Sequence, residues 1–382
     1  MTEHVRILFL IDDFCGPEGG TEQHLLFLQR ELPRDLFDLH FVVLTGIQRM
    51  DAEDFPVRPV MLVGRRHGAR GVPERLLLLA SYIRRAGIDV VHAFSRTSEI
   101  YACLAVRLAK RGRVLAIRRN LGYWHTWPSR WVARAVGRLG AAYAANCEAA
   151  RQYTSRVEWI RRRRIAVIHN PLATARIAEG RAAGVTRASL GVADGERLVG
   201  MVATVRPVKD YATFLHAARH VIDREPPTRF LAVGFQQPEY SAQMQRLCGQ
   251  LGIACRVTWL GAVANPFTLL PLLDVAVLSS SSEAFSNAVL EYAAAGVPTV
   301  ATDVGGIREL LDDGTSGFIV PPRDPETMAD RICRLLSDRE LGRRLGDAAR
   351  RKVTAEFSED KILSQYRRIY HQLAGRSGDD QR

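Results

Sequence analysis

Residues 279–317 read SSSSEAFSNAVLEYAAAGVPTVATDVGGIRELLDDGTSG. An apolar run, Val275–Leu278, precedes them and predicts a buried parallel strand. Ser286 is a favoured N-cap residue, and the helix predicted after it ends at Gly296, which suits a left-handed C-terminal position. Thr299–Thr302 then predicts the next strand. A strand followed by a polar loop and a helix is a ligand-binding arrangement of parallel α/β sheets.

The loop and the helix carry groups suited to a phosphate and to sugar hydroxyls. Backbone N–H groups at the start of the helix, around Asn287 and Ala288, favour a bound phosphate, and the helix dipole acts in the same sense. Glu283 lies just before this point, and Glu291 lies four residues after Asn287 on the same helix face. A carboxylate accepts hydrogen bonds from two vicinal hydroxyls. The stretch therefore predicts one glutamate before a phosphate pocket and one beside it.

This pattern resembles the donor site of family 4 retaining glycosyltransferases. It is carried by Glu283 and Glu291 with seven residues between them, followed by AGVPTVATDVGG and Glu309. The resemblance implies the GT-B fold, an α/β architecture in which two Rossmann-like doubly wound domains face one another across a cleft. It also implies retention of anomeric configuration, with Glu283 at the donor sugar and Glu291 at the ribose. We assign Ser286 and Asn287 to the same donor site.

The length of the chain predicts its division into domains. A chain of 382 residues is too long for one ordinary core, and alternating strand and helix patterns predict doubly wound parallel sheets. We expect an acceptor-binding domain at residues 1–175, a linker at 176–196 and a nucleotide-sugar-binding domain at 197–356. A helix at 357–374 is expected to return to the first domain, followed by a tail at 375–382.

A glycine-containing loop follows the first predicted strand, Val5–Ile11. Gly19 and Gly20 in this loop resemble glycines that let the backbone of family members approach the donor phosphates. No GxGxxG sequence is present. Its absence argues against a dinucleotide oxidoreductase.

Arg206 and Lys209, in the sequence ATVRPVKDY at a predicted strand end, are the candidate cations for a leaving diphosphate. Fixed cations and backbone dipoles stabilise such a charge without a covalent intermediate. Lys209 is one of only four lysines among 53 basic residues, and family members carry phosphate-clamping Arg and Lys residues in this segment. We predict that Lys209 and Glu283 are catalytic and that Arg206 binds the donor.

The sequence gives no sign of a metal site. No two aspartates are separated by a single residue, so the Asp-x-Asp site of the other major glycosyltransferase fold is absent from the sequence. Six scattered cysteines form no CxxC pair, which argues against zinc and against a disulfide framework. We therefore expect no metal and no cofactor. The resemblance implies a nucleotide-diphosphate sugar as substrate and a donor phosphate oxygen that takes the acceptor proton.

Three residues of the first half are candidates for the acceptor or sugar side. His92 matches a histidine common at this strand end in the family, and a core histidine fits the position equally well. After the next strand, where many members place a histidine near the sugar, this chain has Arg119 and, further on, His125. One of these two is expected to face the reaction centre, and the residues do not decide between them.

Positive charge is concentrated in the first half. Residues 1–175 contain 27 Lys and Arg against 16 Asp and Glu, and residues 107–164 contain 15 basic and 2 acidic side chains. Arg130, Arg134 and Arg138 form one stripe of a predicted helix that also carries tryptophan. An anionic membrane surface explains this pattern, and a sheet-packing helix with a solvated face explains it equally well.

We expect a cytoplasmic glycosyltransferase that acts on a lipid-linked or polysaccharide acceptor in cell-surface glycan biosynthesis. Neither a signal peptide nor a spanning helix is predicted, so any membrane attachment is expected to be peripheral. The alternatives are a nucleotide-sugar epimerase of the same fold, a non-catalytic glycan-binding relative and a nucleic-acid-binding protein. The donor carboxylates argue against the last two, and no nucleic-acid partner is expected.

Overall fold

A computed structural model of the protein describes residues 4–16, 19–48, 50–51, 55–62, 71–122, 127–137, 139–181, 184–225 and 227–375. The chain divides into two compact units. Unit 1 comprises residues 1–170 and 360–382, and unit 2 comprises residues 171–359.

Unit 1 alternates strands and helices along the first part of the chain. Its elements are β1 (Val5–Phe14), α1 (Gly20–Glu31), β2 (Phe37–Ile47), β3 (Pro59–Met61), α2 (Val72–Arg85), β4 (Val90–Ala93), α3 (Arg96–Ala109), β5 (Arg113–Arg118), α4 (Trp127–Gly137), β6 (Ala142–Ala145), α5 (Glu148–Glu158) and β7 (Ile165–Val167). The strands form a seven-stranded parallel sheet in the order β3-β2-β1-β4-β5-β6-β7. Most β1 side chains are buried, as expected where helices cover both faces of a parallel sheet.

Unit 2 repeats this alternation. Its elements are α6 (Thr174–Arg181), β8 (Arg197–Val202), α7 (Tyr211–Arg224), β9 (Thr228–Val233), α8 (Pro238–Gln250), β10 (Val257–Gly261), β11 (Val275–Leu278), α9 (Asn287–Ala295), β12 (Thr299–Thr302), α10 (Ile307–Leu310), β13 (Phe318–Val320), α11 (Pro325–Ser337) and α12 (Arg339–Glu356). Six parallel strands form its sheet in the order β10-β9-β8-β11-β12-β13.

The two sheets confirm the predicted doubly wound α/β architecture. Strands β8, β11 and β12 are neighbours in unit 2. Because the carboxyl ends of parallel strands lie at the same edge of a sheet, the loops that follow these three strands meet there. Helix α9 starts and ends as predicted, with Ser286 as its N-cap and Gly296 at φ 75° as its C-cap.

Residues 176–196, which the sequence predicts as a linker, lie within unit 2, and helix α6 at their start packs on this unit. Helix α6 approaches the turn at Pro266–Thr268, and Gly180 lies so close to Phe267 that a Cβ atom there would overlap it. The Asn265 side-chain amide donates to the Arg176 carbonyl at 2.7 Å. These contacts fix the orientation of α6 on unit 2.

The last helix, α13 (Glu359–Leu373), completes the core of unit 1. Tyr366 and Tyr370 are fully buried in the cluster that also contains β1 side chains. The Tyr366 hydroxyl lies 2.8 Å from Nε2 of His24, and the Tyr370 hydroxyl lies 2.8 Å from Nδ1 of His92. Two hydrogen bonds between buried side chains therefore join α13 to α1 and β4. Among the described helices, none has the length and apolar composition needed to cross a membrane.

Both histidines of these contacts are held in the neutral form. Burial lowers the pKa of His92 to about 3, and the nearby Arg119 guanidinium acts in the same direction. Burial also lowers the pKa of His24 well below its usual value, with Arg119 and His92 adding to the effect. Protonation of either ring would place a charge in the core.

We predict that the free energy of unfolding of unit 1 falls at acid pH because His92 becomes protonated on unfolding. Because the pKa of His92 is lower in the folded than in the unfolded chain, its stabilising contribution is present above pH 6.5 and is lost as the pH falls towards 3. Between pH 7 and pH 5 this loss amounts to about 2 kcal/mol of unfolding free energy. Urea unfolding followed by tryptophan fluorescence measures it, since four of the five tryptophans lie within residues 1–170.

The His92→Phe variant is the control, because it removes the titrating group. Its unfolding free energy is expected to fall less than that of the wild type between pH 7 and pH 5. An equal fall in the two proteins would contradict the assignment.

Candidate functional site

Buried serines join two loops at the carboxyl edge of the unit 2 sheet. Ser279, the first residue after β11, is fully buried, and its Oγ lies 3.0 Å from the Lys209 carbonyl and 2.9 Å from the Asp210 carbonyl. The Ser281 backbone N–H donates to the Val208 carbonyl at 2.9 Å. The loop after β11 is therefore tied to the loop after β8 by hydrogen bonds that use both side chain and backbone.

Lys209 and Glu283 meet at this junction. The Lys209 ammonium forms an ion pair with Oε1 of Glu283, and the Ser280 hydroxyl donates to the same oxygen at 2.7 Å. The two charged side chains are only 13% and 12% exposed. The structure thus brings together the cation and the carboxylate that the sequence predicts as catalytic. Ser280, three residues before Glu283, was not singled out from the sequence.

Arg206 lies at the start of the single 3₁₀ turn Pro207–Lys209 that carries the lysine. Its Nε atom is buried and has no hydrogen-bond partner among the described residues. A guanidinium with a free donor beside Lys209 adds a second cation to this edge of the sheet. Asp210, which follows Lys209 at φ 48°, caps α7 by accepting from the Thr213 backbone N–H at 3.3 Å.

The start of α9 lies directly after the Glu283 loop. Ser286 is 2% exposed, and its Oγ accepts from the Val289 backbone N–H at 3.3 Å. Asn287 is the first helical residue. Since helix dipoles are positive at the N-terminus, this end of α9 presents a positive dipole end to the site.

Two glycines of the next loop hold the Glu283 segment in place. Gly305, at φ 57°, lies against the Glu283 carbonyl oxygen, so that a Cβ atom at this position would overlap it. The Gly306 N–H donates to the Ala284 carbonyl at 2.6 Å. A side chain at position 305 would therefore displace the backbone that carries Glu283.

Glu291 lies one turn into α9. The neighbouring Tyr292 anchors this helix, because its hydroxyl accepts from the Val202 N–H at 2.7 Å. Burial raises the pKa of the Glu291 carboxyl to about 7, and the Arg176 guanidinium acts in the opposite direction. Arg176 Nη1 lies 3.5 Å from Glu291 Oε1, and Nη2 donates to the Ala264 carbonyl at 3.2 Å. Arg176 lies in the predicted linker, where no local pattern indicated a partner for Glu291.

The first-half candidates lie in unit 1. His92 is fully buried against Tyr370 and stacks on Phe94 at a ring distance of 4.2 Å, so direct contact with an acceptor would require the ring to leave the core. Arg119 follows β5, and its Nη2 donates to the carbonyl of Gly20, the first residue of α1. Gly19 is the N-cap of α1. His125 lies outside the described residues.

An aromatic and cationic patch covers α4 and the end of α5. Trp131 and Trp159 are 48% and 57% exposed, and their rings meet edge to face at 6.0 Å. The Arg134 guanidinium lies 4.8 Å from the first ring centroid and 3.9 Å from the second. Val132 beside them is 52% exposed. Of the predicted arginine stripe, Arg138 is outside the described residues, and only the Arg134 side chain is described.

The chain matches family models of glycosyltransferases, and its fold matches that of solved GT-B structures. Residues 184–352 match the family Glycosyl transferases group 1, and residues 18–176 match Glycosyltransferase Family 4, so that the two matches together span most of the chain. The protein belongs to the family 4 glycosyltransferases.

Two curated relatives illustrate the similarity. The N-acetyl-alpha-D-glucosaminyl L-malate synthase of Bacillus anthracis is 34% identical over 183 residues, which are 48% of this chain and 47% of that protein. The D-inositol 3-phosphate glycosyltransferase of Nocardia farcinica is 34% identical over 171 residues, which are 42% of this chain and 37% of that protein. The chain thus spans less than half the length of these relatives.

Solved structures match over nearly the whole chain. HepE from Anabaena, crystallised with UDP and glucose, has a TM-score of 0.81 at 20% identity, covering 97% of this chain and all of that one. A glycosyltransferase from Rickettsia africae has a TM-score of 0.84 at 18% identity, covering 98% of this chain and all of that one. These similarities confirm the GT-B fold.

We predict that Arg176→Gln raises the pKa of Glu291 above 7 by about 1 pH unit, because a cation that stabilises the carboxylate is removed while the burial remains. NMR titration of glutamate carboxyl carbons measures this value, and the Glu291→Gln spectrum assigns the signal. Arg187→Gln, which removes a cation paired with Asp274 in the same unit, should leave it unchanged. An unaltered Glu291 titration in Arg176→Gln would refute the coupling.

Proposed function

We propose that the protein transfers a sugar from a nucleotide-diphosphate sugar to an acceptor, with the donor held by unit 2. The observation that carries this proposal is the meeting of Lys209 and Glu283 at the carboxyl edge of the sheet, directly before the start of α9. Ligands of open α/β sheets bind at this edge. The UDP and glucose in the HepE crystal structure support the same substrate class.

The leaving diphosphate is stabilised by charges fixed before it binds. As the bond between the sugar and the phosphate breaks, negative charge grows on the diphosphate. Lys209, Arg206 and the positive end of the α9 dipole supply positive charge to it. We propose that no metal ion is required, because these groups provide the charge stabilisation.

Glu283 orients the donor sugar by accepting hydrogen bonds from its hydroxyls. Its carboxylate is paired with Lys209 and accepts from Ser280, which disfavours attack on the anomeric carbon. We propose a retaining reaction in which a donor phosphate oxygen takes the acceptor proton. Glu291 accepts from the two ribose hydroxyls, and these hydrogen bonds are stronger when its carboxyl is ionised.

The acceptor belongs to cell-surface glycan biosynthesis and is lipid-linked or a polysaccharide. Likeness of fold to WaaG, a glycosyltransferase involved in lipopolysaccharide biosynthesis, supports this part of the proposal, with a TM-score of 0.74 at 14% identity. A cytoplasmic protein that docks reversibly on anionic lipid would reach such an acceptor. The exposed Trp131 and Trp159 around Arg134 offer aromatic anchors beside positive charge.

We expect Lys209→Ala to lower turnover of the nucleotide sugar more than it lowers donor affinity, because the diphosphate charge grows in the transition state.

Glu291→Ala is expected to weaken nucleotide binding by about 1.5–3 kcal/mol through loss of the ribose hydrogen bonds. A panel of nucleotide sugars is first screened by thermal shift, and binding and turnover are then measured with the donor found.

Lys352→Ala is the matched control, since Lys352 is a second lysine of unit 2 paired with a carboxylate, Asp312, at 3.0 Å. Its kinetics should equal those of the wild type. Unchanged nucleotide affinity in Glu291→Ala would exclude the ribose contact. Loss of wild-type turnover on chelation, restored by Mg²⁺ or Mn²⁺, would exclude the metal-free reaction.

We expect the protein to bind anionic vesicles at low salt, and the double variant Trp131→Ala, Trp159→Ala to bind them less. Cosedimentation should show weaker binding as salt rises from about 0.1 M to about 1 M, where the Debye length falls from about 10 Å to about 3 Å. Phe235→Ala, which removes a 58% exposed aromatic ring from unit 2, is the control. If the wild type does not bind anionic vesicles at low salt, membrane docking is refuted.

A further inference from the structure

Two consecutive arginines, Arg118 at the end of β5 and Arg119 directly after it, have opposite environments. The Arg118 guanidinium is buried and pairs with two buried carboxylates, Glu99 at 2.9 Å and Glu158 at 2.7 Å. These partners hold the pKa of Arg118 above its usual value against the effect of burial. The charge of Arg118 is therefore compensated within the protein.

Arg119 lacks this compensation. Its Nη2 donates to the Gly20 carbonyl at 2.9 Å, whereas its Nη1 is buried and has no hydrogen-bond partner among the described residues. Burial lowers the pKa of Arg119 to about 10, with smaller opposing effects of Tyr366 and Glu22. The guanidinium thus keeps an unused donor in a poorly solvated position.

None of the described groups around Arg119 forms an ion pair with it. His24 and His92 are buried in the neutral form and are hydrogen-bonded to tyrosines of α13. The charge of the Glu22 carboxylate raises the pKa of Arg119 only in part, against the larger effect of burial. No described carboxylate forms an ion pair with Arg119, although burying a cation without one is costly.

A bound anion would remove this cost. The planar guanidinium presents a fork of donors that matches a carboxylate or a phosphate group. Arg119 also lies at the end of β5 beside the start of α1, at the sheet edge where parallel α/β sheets bind ligands. Arg119 as a whole residue is half-buried.

We propose that Arg119 binds an anionic group, a carboxylate or a phosphate, of the substrate handled by unit 1. This inference rests on the proposed function and extends it, because it assigns a negative charge to the acceptor. Arg119 acts as a specificity-determining residue that selects acceptors carrying such a group. Arg118 has no such role, because its donors are engaged by Glu99 and Glu158.

The test uses inorganic phosphate and malonate as probes in thermal-shift titrations of the full chain. The Lys209→Ala background removes a principal cation of the donor site, so that phosphate binding there is suppressed. In that background, saturating phosphate or malonate should raise the melting temperature by about 2 °C or more. Comparing the two probes distinguishes a phosphate-selective from a carboxylate-selective site.

Adding Arg119→Gln to this background should lower the affinity for the probe that binds by about tenfold or more. Arg113→Gln, which removes an exposed arginine from the strand that precedes Arg119, should leave binding of the probe unchanged. Arg119→Lys keeps a cation and is expected to retain a reduced shift, which provides a second variant if the glutamine substitution perturbs folding. Arg119→Gln alone should also melt at or above the wild-type temperature without probe, whereas Arg118→Gln should melt lower.

Two results would overturn the proposal: no shift with either probe in the Lys209→Ala protein, or equal shifts with and without Arg119→Gln. Nucleotide binding by Arg119→Gln is measured in parallel and should equal that of the wild type. An anion effect without nucleotide-sugar turnover would count against the proposed function alone. Turnover that is equal for neutral and anionic acceptors would count against the Arg119 assignment alone.

Discussion

The hydroxyl of Ser279 is the contact on which the unit 2 site depends. It lies between the carbonyls of Lys209 and Asp210 and so holds the loop after β11 against the loop after β8. These loops are adjacent only because β8 and β11 are neighbours in the sheet. Once the loops are joined, a lysine from one and a glutamate from the other meet with little exposure to water, which strengthens the attraction between their charges. The order of the strands therefore brings the two loops together, and the contact between the loops brings the two charged side chains together.

Features set by local chemistry could be predicted from the sequence. Ser286 caps a helix and Gly296 ends it because N-cap and left-handed positions strongly restrict residue type. Partners distant in sequence could not be predicted. Arg176 reaches Glu291 across 115 residues, and His24 meets Tyr366 across 342. Nothing in the short segments around these residues indicates the pairing, because it results from packing that local periodicity does not encode.

The arginines of unit 1 show why a count of charges along the sequence overstates the field at the surface. Arg118 is enclosed by two glutamates, and Arg134 lies over two tryptophan rings. Arg162 is paired with Glu148, and Arg164 donates to the Ala141 carbonyl at 2.9 Å. Several charges that look equivalent in the sequence are thus used in internal contacts. The positive surface that remains is smaller than the excess of 15 basic over 2 acidic residues between 107 and 164 suggests.

The position of α13 has a consequence for how the chain folds during synthesis. Unit 2 is one continuous segment, whereas the core of unit 1 includes Tyr366 and Tyr370 from the far end of the chain. Although its strands are translated first, unit 1 cannot bury the tyrosines that cover His24 and His92 until residue 370 has left the ribosome. Unit 2 can complete its core earlier. During that interval the apolar surface of unit 1 that α13 covers is exposed to solvent. Unit 1, although it is synthesised first, is therefore the unit that chaperones need to protect for longest.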